Sequence, residues 1–177
     1  IQPVGNSRLL LNAAKLEPVK VTATATGIQI GRKNYPVTRL EILPDQSPAI
    51  WVNGRKYRGV IRIYRRPGGK LMAVNVLPLE EYVASVTDSE MPAAFPAEAR
   101  KAQAIVARTY ALYQISQKSR QSLFDVYADT RSQKYLGYQY RDSNGRLLAG
   151  ETASGRDIAR QTYGIVCTYR GKLFCTY

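Results

Sequence analysis

The first part of the chain, up to about residue 78, alternates between apolar and polar residues. The alternation is clearest in VKVTATATGIQIG (Val19–Gly31), and it continues in the segments YPVTRLEILP, AIWV and RKYRGVIRIYR. A period of two residues is typical of half-buried β-strands. Asn53-Gly54 is a strong hairpin signal, and Pro67-Gly68-Gly69 precedes a returning strand, KLMAVNVLP. We therefore predict a β meander, and this part of the chain carries no catalytic signature.

From Pro78 onwards the apolar residues recur at helical spacing. Proline is favoured at the first position of a helix, and it precedes two such segments, at Pro78 and at Pro96. The first predicted helix has its apolar positions at Leu79, Tyr82, Val83 and Val86. The second is long and ends near Ser116–Ser119. Its predicted apolar stripe consists of Ala102, Ile105, Val106, Thr109, Leu112 and Tyr113.

The last third of the chain is predicted to hold short strands, loops and a further helix. That helix runs from about Arg156 to Thr162 and is closed by Gly164. A hairpin centred on Arg170-Gly171-Lys172 sets Cys167 opposite Cys175. The whole pattern indicates an α+β fold, in which a long central helix packs beside a β-rich body.

The chain is strongly basic. It has 26 Lys and Arg against 13 Asp and Glu, which gives a net charge of +13 over 177 residues. Such a surplus favours a polyanionic partner: nucleic acid, an anionic membrane surface or an acidic cell-wall polymer. No recognition motif for nucleic acid is visible, so no nucleic-acid partner is expected. No apolar run approaches the ~20 residues of a membrane span, so no integral membrane segment is expected in this chain.

The counts of histidine and cysteine limit the chemistry. No histidine is present, which excludes Ser–His and Cys–His catalysis within this chain and any metal site that uses histidine. We predict neither a bound metal nor another cofactor. The two cysteines, Cys167 and Cys175, fit either one disulfide, hence an exported protein, or two isolated thiols.

One carboxylate, Glu90, lies between the two predicted helices, in the stretch TDSEMPAAFPAEARK. One interpretation is that it caps a helix end. Alternatively, the apolar residues from Met91 to Phe95 disfavour its ionised form, and a protonated glutamic acid can donate a proton to a glycosidic oxygen. Glycoside hydrolysis usually needs a second carboxylate. Asp88 and Asp129 are both candidates for that role, and the sequence does not rank them.

The segment VNVLPLEEYVASVTDSEMPAAFPAEARKAQAIVARTYAL closely resembles the signature of the stage II sporulation protein D/amidase-enhancer family. The resemblance is specific, because E-M-P is followed by P-x-E-A and then by K-A-Q-A-x-x-A-R-T-Y-A, almost continuously from Asn75 to Leu112. Two later blocks, DTRSQKYLGY (Asp129–Tyr138) and TYGIVCTYRGKLFCTY, are similar to further elements of the family pattern. The resemblance covers about Ile50 to the end of this sequence. The family pattern continues into an S-x-x-G-G segment that this sequence does not include.

The resemblance implies a bacterial cell-wall protein that acts outside the cytoplasm on the glycan strands of peptidoglycan. Sporulation members of the family are lytic transglycosylases that cleave strands lacking stem peptides, and amidase-enhancer members modulate wall hydrolases. Glu90 matches the family's catalytic glutamate, and we expect it to lie at the edge of a substrate groove. A lytic transglycosylase needs one carboxyl group, which protonates the bond between N-acetylmuramic acid and N-acetylglucosamine while the sugar's own 6-hydroxyl closes a 1,6-anhydro product. The alternative is a non-catalytic, glycan-binding enhancer whose partner is a cell-wall amidase.

The same resemblance suggests the remaining site residues and the domain division. The predicted domains are an N-terminal β-rich segment, 1–48, and a sporulation protein D-type catalytic domain, 49–177. Structural roles are the alternative for Lys101, Gln103 and Arg108, and the last two would then tie the helix to loops. Glu80 and Glu81 are predicted on a solvated helix face. The zinc site that some sporulation relatives build from His and Cys cannot form without histidine. Candidate substrate-binding residues are Lys101, Gln103, Arg108, Ser132, Gln133 and Tyr135.

Overall fold

The computed structural model describes residues 2–3, 18–44 and 49–176. The chain forms two compact units, of which the first holds Ile1–Ile50 with Arg58–Val76 and the second holds Trp51–Tyr57 with Leu77–Tyr177. The chain therefore enters the second unit briefly, returns to the first, and then stays in the second. The predicted domain boundary between residues 48 and 49 stays a prediction.

The described elements are eleven strands, three α-helices and a single 3-10 turn at Pro67–Gly69. The helices are α1 (Leu79–Glu90), α2 (Ala97–Gln117) and α3 (Ala153–Gln161). The strands, in chain order, are β1 (Gln2–Pro3), β2 (Val21–Ala23), β3 (Ile28–Ile30), β4 (Lys33–Tyr35), β5 (Arg39–Ile42), β6 (Ala49–Val52), β7 (Arg55–Arg58), β8 (Val60–Arg66), β9 (Lys70–Val76), β10 (Gln139–Arg141) and β11 (Leu147–Ala149). The mixture of helix and strand confirms the α and β content that the sequence predicts.

The first unit is built from antiparallel strands. Its larger sheet has the order β1-β5-β8-β9, and the longest pairing joins β8 to β9 from Val60↔Val76 to Arg66↔Lys70. Its smaller sheet has the order β2-β3-β4, so the alternating run at 19–31 forms two paired strands with a turn between them. Apolar residues from both sheets are fully buried, as the alternation predicts: Ile28, Leu40, Ile61 and Ile63.

The second unit contains the three helices and a sheet of order β11-β10-β7-β6. The turn between β6 and β7 is the predicted Asn53-Gly54 hairpin, and both residues have positive φ, 47° and 78°. The helix α3 starts three residues earlier than predicted. The cause is Thr152, whose hydroxyl accepts a hydrogen bond from the backbone N–H of Gly155 at 3.0 Å and so caps the helix.

A helix of 21 residues, α2, lies where the sequence predicts a long helix, but of the predicted apolar stripe only Thr109 is buried. Ala102 is exposed, whereas Ala104, Ala107 and Ala111 are buried. Small alanines allow α1, α2 and α3 to approach closely, and the three helices pack against one another. Within its unit α2 packs against the other two helices and also bonds the segment after α3, at Ile165 and Cys167. Neither its predicted place beside a β-rich body nor the groove is confirmed.

The predicted C-terminal hairpin is reduced to a tight turn. One isolated bridge joins Tyr169 to Lys172, and the two turn residues, Arg170 and Gly171, have φ of 50° and 75°. The turn is thus centred between residues 170 and 171, so Cys167 and Cys175 are not directly opposite in this register, and that prediction is wrong. No disulfide joins the two cysteines in the structure. Within the described residues, no helix is long and apolar enough to cross a membrane.

Candidate functional site

Glu90 is the last residue of α1, and its side chain is exposed. Its Oε1 accepts a hydrogen bond from the backbone N–H of Lys134 at 2.7 Å. The free backbone groups at this end of a helix are carbonyls, which a carboxylate cannot cap, and the end carries partial negative charge. Capping therefore does not explain Glu90, and the N–H of Lys134 offsets an unfavourable position for a negative charge.

The residues that follow Glu90 do not enclose it. Residues 92–95 are exposed, and Phe95 retains 51% of its surface. The expectation that Met91 to Phe95 desolvate the carboxyl group is therefore wrong, because these residues form a short surface turn, closed by the hydrogen bond from Phe95 N–H to Pro92 O, before α2 begins.

The loop that carries Lys134 is tied to α1 at two further points. The hydroxyl of Tyr82 donates to Oε1 of Gln133 at 3.0 Å, and the hydroxyl of Ser85 donates to the carbonyl of Gly137 at 2.9 Å. Together with the bond between Glu90 and Lys134, these ties run along α1 from its first turn to its last. They fix the Lys134 N–H relative to the helix that carries Glu90.

Side chains of this loop alternate between inside and outside. Gln133 is fully buried, Lys134 is exposed, and Tyr135 is buried. The Tyr135 ring lies 5.3 Å from that of Tyr82 and 5.9 Å from that of Tyr57, and desolvation raises the pKa of its hydroxyl. Nε2 of Gln133 donates no hydrogen bond to a described residue. The predicted residues Gln133 and Tyr135 therefore anchor the loop from within, which places the adjacent Lys134 at Glu90.

The start of the same loop holds Ser132 and an exposed ion pair. The Ser132 hydroxyl accepts from the backbone N–H of Tyr127 at 3.2 Å. Asp129 accepts hydrogen bonds from Nε and Nη2 of the Arg131 guanidinium and from the backbone N–H of Arg131, and these bonds lower the pKa of the Asp129 carboxyl to about 2. The Arg131 guanidinium lies 3.9 Å from the Tyr127 ring centre. Asp129 is thus engaged with Arg131 and is not placed beside Glu90 by any described bond.

The other candidate for a second carboxylate, Asp88, is buried in an ion pair with Arg100. Its Oδ2 also accepts the backbone N–H of Thr152 at 2.6 Å. Arg100 in turn donates to the Ser154 hydroxyl at 2.6 Å and to the Met91 carbonyl at 3.2 Å. We call these five residues the Asp88 clamp. Both carboxyl oxygens of Asp88 are occupied, so the clamp joins the end of α1 to the starts of α2 and α3 and leaves Asp88 no base role.

Arg108, a predicted substrate-binding residue, is buried in a second ion pair. Its guanidinium binds both oxygens of Glu80, at 2.8 and 2.6 Å, and donates to the Ile165 carbonyl at 3.0 Å. The prediction that Glu80 lies on a solvated face is therefore wrong. All three guanidinium nitrogens of Arg108 are engaged within the protein. The sequence left a substrate-binding role and a structural role open for Arg108, and these contacts favour the structural role.

The remaining predicted residues, Lys101 and Gln103, lie on the first turns of α2. Lys101 forms an ion pair with Glu98 at 2.8 Å, and Gln103 is half-buried. Their predicted contacts with substrate stay predictions. The described residues contain no group of three or more Cys, Asp or Glu that could hold a metal ion. The structure therefore places the side chains of Gln133 and Tyr135 beside Tyr82, in the first turn of α1, while the backbone of the adjacent Lys134 reaches Glu90. Arg108 lies beside Glu80.

The comparisons with known proteins identify the family. The model of the stage II sporulation protein family matches residues 67–169, which include Glu90, the ion pairs Asp88–Arg100 and Glu80–Arg108, and the loop at 129–138. The chain therefore belongs to the stage II sporulation protein family. Stage II sporulation protein D of Bacillus subtilis is 52% identical over 50 residues, which are 28% of this chain and 14% of that protein.

Two longer matches are to uncharacterised proteins. One, from Brachyspira hyodysenteriae, is 30% identical over 95% of this chain and 42% of that protein. The other, from Chlamydia muridarum, is 31% identical over 76% of this chain and 46% of that protein. The chain spans less than half the length of these curated relatives. No solved structure matches it.

Proposed function

We propose that this protein acts outside the cytoplasm and cleaves the glycan strands of peptidoglycan as a lytic transglycosylase, with Glu90 as the single acid and base. The observation that carries the proposal is the surroundings of Glu90, in a chain that belongs to the stage II sporulation protein family. Glu90 is an exposed carboxyl group on a rigid helix end, held by one backbone N–H and joined to no arginine in the part of the chain that is described.

The reaction needs only this one group. The protonated Glu90 gives its proton to the oxygen that joins C1 of N-acetylmuramic acid to the next sugar, and the C1–O bond breaks. The 6-hydroxyl of the same muramic acid attacks C1, and the Glu90 carboxylate takes the proton that this hydroxyl loses. A 1,6-anhydro end forms, the carboxyl group is protonated again, and no water is consumed.

The bond from Lys134 suits such a group. It orients Oε1, while the other oxygen of Glu90 takes no hydrogen bond from a described residue. The exposure of the carboxyl lets a polymer reach it. A bound glycan strand then covers the carboxyl and excludes water from it, which favours its protonated form at the moment of proton transfer.

The decisive experiment compares Glu90→Gln with the unchanged protein on purified, peptide-free glycan, with mass spectrometry of the products. Anhydro ends should form with the unchanged protein and fall at least about 100-fold in the variant, the contribution typical of an acid–base group. Asp157→Asn is the matched control, because it removes the same charge from an acid of α3 in the same unit whose side chain is 43% exposed. Reducing ends in place of anhydro ends, or full cleavage by Glu90→Gln, would overturn the proposal.

The exposure of residues 92–95 favours a second candidate function, a glycan-binding enhancer of a cell-wall amidase. In that case Glu90 has no proton to transfer, and an open surface beside it serves for docking. One assay distinguishes the two functions. If the protein is an enhancer, its Glu90→Gln variant should still stimulate a purified cell-wall amidase, and neither the variant nor the unchanged protein should produce anhydro ends.

A further inference from the structure

The chain has one tryptophan, Trp51, and its side chain is 44% exposed. It lies on the edge strand β6, and the guanidinium of Arg141 on β10 lies 5.6 Å from its ring centre. A large aromatic ring that stays exposed offers an apolar surface to a ligand. The ring and the guanidinium are therefore candidates for a binding surface.

The strand register places further residues on the same face. Arg141 pairs with Leu147 on β11, and Gln139 pairs with Ala149 on β11 and with Lys56 on β7. Paired residues of neighbouring strands share a face, and so do residues two apart along one strand. We call this surface the Trp51 face, and its members are Trp51, Lys56, Gln139, Arg141, Leu147 and Ala149. Leu147 is 46% exposed, so nothing in this unit covers the face at that point.

Backbone and side-chain hydrogen bonds hold Arg141 in place. Its backbone N–H donates to the carbonyl of Gly54, in the hairpin turn that follows β6, at 2.9 Å. Nη1 of Arg141 also donates to the Gly145 carbonyl at 2.9 Å. The arginine is thereby held with its remaining edge available.

We propose that the Trp51 face is a glycan subsite, in which a sugar ring stacks on Trp51 and the free lactyl carboxylate of a peptide-free muramic acid binds Arg141. The inference rests on the proposed function for the glycan itself. Apolar sugar faces pack on aromatic rings, and a guanidinium binds a carboxylate in a bidentate manner through an edge that carries two N–H groups. Charge complementarity selects the occupant, because both charged members of the face are cations.

The position of the face fits a long polymer. Lys134, whose N–H binds Glu90, is seven residues before Arg141, and seven residues span at most about 25 Å. A glycan of several sugars reaches across such a distance. The face would thus hold one part of the strand while another part lies at Glu90.

The single tryptophan is also the reporter for the test. The Glu90→Gln protein is titrated with uncharged N-acetylglucosamine oligomers and, separately, with peptide-free glycan that carries lactyl carboxylates. Tryptophan fluorescence should change with both ligands, and the carboxylate-bearing glycan should bind more tightly. In Arg141→Gln the affinity for the carboxylate-bearing glycan should fall about fivefold, the effect of losing an exposed ion pair, so that the preference disappears. Arg146→Gln is the matched control, because Arg146 is an exposed arginine of the same hairpin.

Calorimetry with Trp51→Ala completes the test, since this variant has no reporter. Binding of both ligands should weaken about tenfold, as for a truncated aromatic anchor, and Tyr163→Ala, at another exposed aromatic residue, should leave it unchanged. An unchanged tryptophan spectrum at glycan saturation would overturn the inference, and so would an equal response to polyglutamate. Because binding is measured without cleavage, a failed subsite leaves Glu90-dependent cleavage intact, and a failed transglycosylase leaves binding at Trp51 intact.

Discussion

Two carboxylates on the last turn of α1, Asp88 and Glu90, have opposite surroundings. The Asp88 side chain is 7% exposed and binds Arg100 and the backbone N–H of Thr152. Glu90 is exposed and binds one backbone N–H, that of Lys134. Residues two apart on a helix point to different sides, so the same turn directs one carboxylate inwards and the other outwards. Asp88 thus fixes the end of α1 that carries Glu90.

The start of α1 is held in the same manner. Glu80 binds Arg108, whereas Asp88 binds Arg100, so two arginines eight residues apart on α2 bind two acids eight residues apart on α1. Both arginines also reach α3 or the residues after it, through Ser154 and the Ile165 carbonyl. The helix that carries Glu90 is therefore tied down at both ends by buried charges, and this rigidity keeps the carboxyl group in one place.

The largest effect is expected from Asp88→Ala. The change leaves the Arg100 guanidinium buried without its carboxylate, and such a loss typically destabilises a protein by about 3–5 kcal/mol. Chemical denaturation should show this decrease in the free energy of unfolding. The double variant Asp88→Ala/Arg100→Met should recover much of it, because no charge then remains buried. A decrease below about 1 kcal/mol in the single variant would show that the Asp88 clamp does not hold the helices together.

Gly155→Ala should destabilise the same clamp to a smaller extent. A Cβ at position 155 would overlap the Asp88 carboxylate, so the residue at this point of α3 has to be glycine. Overpacking of this kind typically costs about 1–3 kcal/mol in the free energy of unfolding. In the Asp88→Ala background the overlap disappears, so the two changes should be less than additive in a double-mutant cycle. Strict additivity would separate Gly155 from the clamp.

A third carboxylate, Asp129, extends the comparison to the loop that carries Lys134. Its pKa lies at about 2, below the ordinary value of 3.8, because Arg131 donates to it from its side chain and its backbone. A lowered pKa in the folded state means that the contribution to stability is present above the unfolded value and is lost as the pH falls towards 2. Carboxyl NMR titration should give the low midpoint, and Arg131→Gln should raise it. Identical midpoints in both proteins would rule out the ion pair.

Much of the fold follows from local sequence patterns. The spacing of apolar residues predicts the helices α1 and α2, and the turns at Asn53-Gly54 and Pro67-Gly68-Gly69 are where the residue types indicate. The buried face of α2 was predicted wrongly, because alanine and arginine fill it. The sequence pattern predicts a surface position for an arginine in a helix, whereas Arg100 and Arg108 are buried because they pair with acids of another helix.

The candidate site, too, was predicted from the sequence only in part. The motif around Glu90 and the block at 129–138 are recognisable in the sequence, and the structure joins them through the Lys134 N–H. The Asp88 clamp was not predicted, because its bonds connect residues 12 and 64 positions apart along the chain. Gly155, a glycine inside a helix, is the one local signal that indicates a close neighbour.

The smallest effect on stability is expected from Glu90→Gln, and it is the sharpest test of the comparison. The amide oxygen can still accept the N–H of Lys134, and the loss of a negative charge at a helix C-terminus is mildly favourable. The free energy of unfolding should therefore stay within about 0.5 kcal/mol of the unchanged protein, measured by the same denaturation as for Asp88→Ala. If Glu90→Gln destabilises as much as Asp88→Ala, then both carboxylates are structural and a loss of cleavage would only report unfolding. If stability is kept while anhydro ends disappear, the loss belongs to the chemistry of one exposed carboxyl group.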